Sequence, residues 1–262
     1  MDRVNNQPLD QFDGLSPEQM HRLIGRSMTG RPGIEIKKLS AENLARIPVF
    51  STLKYYLKLL NEGEIKLSAS GNLPSKVVVD IYSKGYFKEW TCDRKTRILE
   101  TDSLLIQLVR IVASLAKWTK VRTGKLSITK EGLKIQQDDN ELFRAFLECW
   151  LYRFNWAYFD SYESEDVGRQ NFEYSFYLLH KYGNEWRESV FYAKKYFEAF
   201  PMLENQQTKP KEINERFYPY YSCYTVRTFE RLLVYLNAVE FADTKWNEVP
   251  RLKKTELFDL IF

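Results

Sequence analysis

Cysteine and histidine are scarce in this chain. The three cysteines, Cys92, Cys149 and Cys223, lie far apart and are odd in number. They give neither a disulfide framework nor a C-x-x-C metal knuckle, so three reduced thiols are expected. The two histidines, His21 and His180, are isolated, and no metal or cofactor site is expected. No run of 18 or more apolar residues occurs, so no membrane span is expected. The N-terminal residues Met1 to Gln7 lack the apolar core of a signal peptide, which points to a cytoplasmic protein.

Catalytic motifs are missing too. Gly124-Lys125 echoes a phosphate-binding loop, but the upstream glycine and the strand-to-helix setting are absent. Asp160, Glu163, Glu165 and Asp166 cluster in one acidic stretch that reads as a solvated loop. A hydrolase needs two carboxylates held at fixed separation on rigid elements. With no Ser-His or Cys-His pairing either, no enzyme is expected. There is no internal repeat and no low-complexity tract.

Aromatic rings are abundant: 17 Tyr, 17 Phe and 6 Trp in 262 residues, with 44% hydrophobic residues. Such a chain can bury a sizeable core, and its length allows one or two domains. The net charge of +4 conceals an asymmetry. Ala41 to Gln136 carries 17 basic and 9 acidic residues, a net of +8, while the remainder is net −4. Concentrated positive charge is an electrostatic footprint for nucleic acid and also suits an ordinary solvated basic domain.

The basic stretch has a distinct order of elements. Phe50 to Asn61 repeats Leu53, Tyr56, Leu57 and Leu60 at helical spacing. Ile65 to Leu67 alternates as a short strand. Pro74 opens a helix over Ser75 to Ser83. Residues 86–101 read as a loop with a strand at 97–99. Thr101 or Asp102 caps a helix over Ser103 to Lys117, whose polar positions Ser103, Gln107, Arg110, Ser114 and Lys117 fall on one narrow face. Trp118 to Arg122 and Lys125 to Thr129 flank Thr123-Gly124 as a hairpin, and Leu133 to Gln137 lead away from it. Helix, strand, helix, helix and hairpin is the order of a winged helix.

Before it, residues 1–40 form a polar tail with one short helix from Leu15 to Ile24, capped by Ser16 with Gln19 three residues on. A turn is expected at Gly30 to Gly33. After it, Leu142 to Tyr158 forms a long helix with an aromatic stripe. Helices follow at 172–182, 186–200 and 225–239, with an exposed loop at 202–216. Leu252 to Phe262 reads as a closing strand or arm, with Leu257, Leu260 and Ile261 docking inward. The expected fold is mainly α (α+β): an N-terminal winged helix-turn-helix followed by an aromatic-rich helical body. Its domains are a tail over 1–40, a winged helix over 41–137, and a helical domain over 138–262 packed on it.

Three segments together resemble a group of uncharacterised bacterial proteins, some of whose relatives carry a SEC-C zinc motif. They are Gly14 to Leu23, Ile65 to Pro74 and Gly124 to Gly132, with Phe154 to Phe159 adding to the likeness. The resemblance covers most of the chain and implies a bacterial cytoplasmic protein. It carries no activity, and the clustered Cys and His of the zinc motif are missing here.

Two functions follow as expectations. In the first, the helix at 103–117 enters the major groove of duplex DNA and presents Gln107 and Arg110 to base edges. Lys120, Arg122 and Lys125 on the hairpin, with Lys117 and Lys130 nearby, hold phosphates. Arg110, Lys120, Arg122 and Lys125 are then expected to be exposed on one side. In the second, the protein is a non-catalytic interaction or scaffold protein whose winged helix is a packing module. Rings such as those from Phe217 to Tyr224 meet the partner in that case.

Overall fold

The computed structural model describes residues 5–28, 34–204, 219–243 and 248–262. The expected turn at 30–33, most of the loop at 202–216, and the rings of Phe217 and Tyr218 lie outside them. Over the described residues the fold is mainly helical with two small three-stranded sheets. Among the described residues no helix is long and apolar enough to cross a membrane. The chain divides into two compact units. One is the continuous stretch Lys38–Phe154; the other joins Met1–Lys37 to Asn155–Phe262.

The first helix, α1 (Pro17–Met28), belongs to the discontinuous unit. It starts on a capping box. The Ser16 hydroxyl accepts from the Gln19 N–H at 3.2 Å, and the Gln19 side chain accepts from the Ser16 N–H at 2.8 Å.

The continuous unit opens with α2 (Ala41–Ala45), capped by Ser40, and α3 (Pro48–Glu62), which uses Pro48 in its first turn. Its repeat of Leu53, Tyr56, Leu57 and Leu60 is fully buried. Each such side chain contributes about 1.5–3 kcal/mol when removed from water. The strand β1 (Ile65–Lys66) and α4 (Ser75–Tyr82) follow. Where a loop with a strand at 97–99 was expected, there is a short helix, α5 (Trp90–Asp93), and a 3-10 turn at Glu100–Asp102.

The central helix α6 (Leu104–Leu115) is capped by Ser103, not by Thr101 or Asp102: its side chain accepts from the Ile106 N–H. Strands β2 (Thr119–Arg122) and β3 (Lys125–Ile128) form the hairpin. Thr123 (φ 48°) and Gly124 (φ 71°) both lie in the left-handed region, the geometry of a type I′ turn. Sheet order is β1-β3-β2, all antiparallel. The chain does not simply lead away afterwards. Thr129 caps a further helix, α7 (Lys130–Ile135), whose Gly132 lies against the backbone of Trp118, so that a Cβ there would meet the Trp118 carbonyl at 2.3 Å.

The long aromatic helix is shorter than its sequence pattern. The helix α8 (Asp139–Tyr152) stops at Arg153, and Trp156–Phe159 forms a separate 3-10 turn with Tyr158 exposed. The aromatic stripe places α8 with the preceding residues and not, as the sequence boundary at 137/138 had it, with those that follow. Phe143 meets Phe50 of α3 edge-on at 5.6 Å, and the Cys149 thiol lies 3.8 Å from the Val112 carbonyl of α6.

In the discontinuous unit, α1 packs on α9 (Phe172–Tyr182). The expected helix at 186–200 begins as a strand, β4 (Arg187–Glu188), before α10 (Ser189–Ala199). Pro201 does not only stop that helix; it starts α11 (Pro201–Glu204). Then α12 (Pro219–Tyr224) runs into a π-helix over Thr225–Leu233. Val239–Phe241 is strand β5, Arg251–Lys254 is β6, and α13 (Glu256–Ile261) closes the chain. The three strands form a second sheet of order β4-β6-β5. Leu257 and Ile261 dock inward, whereas Leu260 stays exposed.

Two buried charge clusters tie distant residues of this unit together. Asp160 is not a solvated loop acid. It accepts from Arg227, which is fully buried, at 2.7 and 3.0 Å, and from Arg231 at 2.9 Å. Arg227 also donates to the carbonyls of Ser164 and Val167. Asp13, itself at φ 54°, accepts from Lys181, Lys195 and the Tyr182 hydroxyl. Burial alone would raise the Asp13 pKa. Those hydrogen bonds and the charge of Lys195 outweigh it and hold the carboxyl below its ordinary value.

Candidate functional site

The hairpin sheet sorts its side chains by strand alternation. Successive residues point to opposite faces, and directly paired residues share a face. The register pairs Lys66 with Lys125 and Lys125 with Arg122, so these three cations form one row across all three strands. Lys120, two residues before Arg122, pairs with Ser127 on the same face. The opposite row is Ile65, Leu126 and Val121, of which Leu126 is buried and β3 packs on α3. One face is thus anchored to the core, and the other carries Lys66, Lys120, Arg122 and Lys125, all exposed.

The base of the hairpin adds two more cations. Lys117 ends α6 in the left-handed region (φ 62°) and is exposed. Its carbonyl accepts from the Thr129 hydroxyl at 2.8 Å, which brings it beside the start of α7, where Lys130 is exposed. Two carboxylates lie near. Glu64 pairs with Lys125 at 3.2 Å, with both side chains more than half exposed, a contact worth about 0–1 kcal/mol at most. Glu131 has its pKa lowered chiefly by its own backbone N–H and the Thr129 hydroxyl, with the charges of Lys130 and Lys120 adding to the effect.

Five of the seven expected contact residues, Lys117, Lys120, Arg122, Lys125 and Lys130, therefore lie on or beside one hairpin. Gln107 and Arg110 are not with them as free side chains. Gln107 is half-buried and turns its amide to the Ser103 carbonyl of its own helix at 3.4 Å. Arg110 is not solvent-exposed as expected; its side chain is only 17% exposed. It is ion-paired with buried Glu100 and donates to the Gly71 carbonyl at 2.7 Å. Glu100 in turn accepts from the Leu73 N–H, so Arg110 fastens the 68–73 turn over α6.

The N-terminus of α6 is covered as well. Glu89, from the connection before it, accepts from the Ser103 hydroxyl and from the N–H groups of Leu104 (2.9 Å) and Leu105 (3.3 Å). The N–H groups that a helix end would offer to an anion are occupied from within.

Lys66 is the residue of this face that was not singled out in the sequence. Its signal was the alternation of Ile65, Lys66 and Leu67, but only the pairing of β1 with β3 puts it beside Lys125. No family model, no curated protein and no solved structure matches the chain. The site rests on its own geometry.

Proposed function

We propose that the unit of residues 38–154 is a winged helix that binds the phosphate backbone of duplex DNA through the outer face of its hairpin, without reading bases through α6. The winged-helix reading is supported by the order α3, β1, α4, α6, β2, β3 and by the strand order β1-β3-β2. The observation that carries the DNA reading is the row of Lys66, Lys125 and Arg122, with Lys120 on the same exposed face. Cations on a rigid sheet neutralise phosphates and release counter-ions, which gives binding that is strongly salt-dependent and indifferent to sequence. Base readout through Gln107 and Arg110 is dropped from the reading, since both side chains are engaged within the fold.

The test is fluorescence anisotropy of labelled duplexes of unrelated sequence, titrated with the whole chain from low to high salt. Similar affinities for all duplexes are expected, falling steeply as salt rises. Changing Arg122 and Lys125 together to Ala should weaken every duplex alike and reduce the salt slope by about 0.9 per lost phosphate contact. A parent that does not bind at low salt, or a folded double variant that binds as the parent does, would overturn the reading.

The enclosure of α6 favours a second reading, a non-catalytic interaction module that uses the same fold for packing. It takes over if the parent shows no binding to duplex DNA at low salt.

A further inference from the structure

The connection between α4 and α6 is pinned to the fold, yet it presents its largest side chain to solvent. Trp90 is 76% exposed, and among the described residues neither a ring nor a cation stacks on it. Aromatic rings gain most from burial, so an indole held out in water stabilises nothing within the chain. The backbone that carries it is fixed at Asp102. The Asp102 carbonyl accepts from the Thr91 hydroxyl at 2.6 Å. Its carboxylate accepts from the Leu99 N–H at 2.8 Å and from Lys95 at 2.5 Å. The two arms of the connection, 88–94 and 97–99, are thereby drawn together on one residue.

The same backbone sorts charge. Glu89 is extended (φ −125°, ψ 120°) and turns inward, where its carboxylate caps α6. Its neighbours Lys88 and Trp90 therefore point the opposite way. Arg94 follows Trp90 by one helical turn at the end of α5 and falls on the same side. On the other arm Ile98 and Glu100 are buried, and Arg97 and Leu99 alternate with them as exposed residues. The carboxylates of this stretch are engaged: Glu89 on α6, Asp93 by the Tyr82 hydroxyl at 2.5 Å, Glu100 by Arg110 and Asp102 by Lys95. Among the described residues Lys88, Arg94 and Arg97 are paired with no carboxylate. Lys88, Trp90 and Arg94 thus share one outward side, and Arg97 stands on the adjoining arm.

We propose that this connection binds single-stranded nucleic acid, with a base stacked on the Trp90 indole and backbone phosphates on Lys88, Arg94 and Arg97. Every base has a π-face, but stacking within a duplex hides it, so a free indole selects unpaired strands. The unpaired cations match the charge of the backbone and add no sequence preference. An anionic lipid surface calls for a wider apolar face than Trp90 and Leu99, the latter 43% exposed, supply. The proposal does not rest on the duplex reading, because it uses none of the hairpin cations.

The experiment is fluorescence anisotropy with the whole chain and three labelled probes: an oligo(dT) of about 12 nucleotides, an abasic oligomer of the same length, and a duplex. The parent should bind oligo(dT) with an affinity that falls as salt rises, and the abasic oligomer at least about fivefold more weakly, for want of the stack. Trp90→Ala should weaken oligo(dT) about tenfold and leave the abasic oligomer and the duplex unchanged, and Trp90→Phe should keep most of the affinity. Changing Lys88, Arg94 and Arg97 together to Gln should reduce the oligo(dT) salt slope by about 0.7 per lost phosphate contact. Trp90 buries little, so its variants should melt as the parent does, and the abasic comparison tests stacking on the unaltered chain. The proposal is overturned if the parent does not bind oligo(dT) at low salt, if it binds the abasic oligomer as tightly, or if folded Trp90→Ala binds oligo(dT) as the parent does. It is equally overturned if Trp90→Ala loses binding to phosphatidylserine vesicles while keeping oligo(dT), which would assign the surface to lipid. Failure at the hairpin reads differently: Arg122→Ala with Lys125→Ala weakens the duplex while the preference for oligo(dT) over the abasic oligomer stays.

Discussion

Asp13 shows how one side chain can hold a discontinuous unit together. It sits 164 to 182 residues from the groups it meets, and its carboxylate accepts from two lysines and a tyrosine while its carbonyl accepts from Tyr177 and Lys181. Replacing it with Asn keeps the size but leaves Lys181 and Lys195 facing each other without a counter-charge. A loss of about 2–3 kcal/mol is expected, as for removal of one partner from a mostly buried charged network. The pH dependence follows from the lowered pKa. An acid whose folded pKa lies below its unfolded value of about 3.9 stabilises fully above that value, and the contribution disappears as pH falls through the folded pKa. Thermal melts of the parent and Asp13→Asn should therefore differ by a constant amount between about pH 5 and 7, begin to approach each other near about pH 4, and converge only once the pH has fallen through the lowered folded pKa. A difference that persists unchanged into strong acid would show that the effect is not the carboxylate's charge.

At the scale of elements, the hairpin turn carries a local fault. Thr123 is β-branched and sits at φ 48°, a conformation that suits Asn or Gly and is uncommon for such a side chain. Thr123→Asn should stabilise the hairpin by about 1 kcal/mol, seen as a rise of roughly 4 °C in melting temperature. Thr123→Val should give no gain, and equal melting for all three would remove the turn strain from the account. The same hairpin marks what the sequence made legible. Thr123-Gly124 between two alternating runs signals a turn locally, and the apolar repeats of α3 and α6 signal buried helices locally. Elements whose cause is distant stayed hidden. Strands β4, β5 and β6 are two to four residues long, and each is defined only by its partner. The π-helix depends on where the chain around it packs, and no local pattern marked it. The candidate site divides in the same way. Lys120, Arg122 and Lys125 follow from alternation, but the withdrawal of Arg110 depends on Glu100 and Gly71, and the addition of Lys66 depends on strand pairing.

On the scale of the whole chain, the residues of the continuous unit interrupt those of the discontinuous one along the sequence, and the boundary can be tested without reference to function. A fragment of residues 38–154 contains its own caps and core. Ser40 begins α2, the Asn140 side chain bonds both the N–H and the carbonyl of Leu39, and α8 covers α3 and α6. A fragment of 41–137, cut where composition and charge alone place the boundary, loses Ser40 and the whole of α8. It leaves Phe50 without Phe143 and exposes the α6 surface that Cys149 covers. Losing the large buried side chains of α8, at about 1.5–3 kcal/mol each, forfeits an amount comparable to the roughly 5–15 kcal/mol that hold a typical domain folded. The 38–154 fragment should therefore melt cooperatively in urea and by heat. The 41–137 fragment should show a broad transition or none, with surface that binds hydrophobic dyes. If the shorter fragment melts as sharply and at the same midpoint, then α8 is not part of this core, and the boundary at 154/155 is wrong.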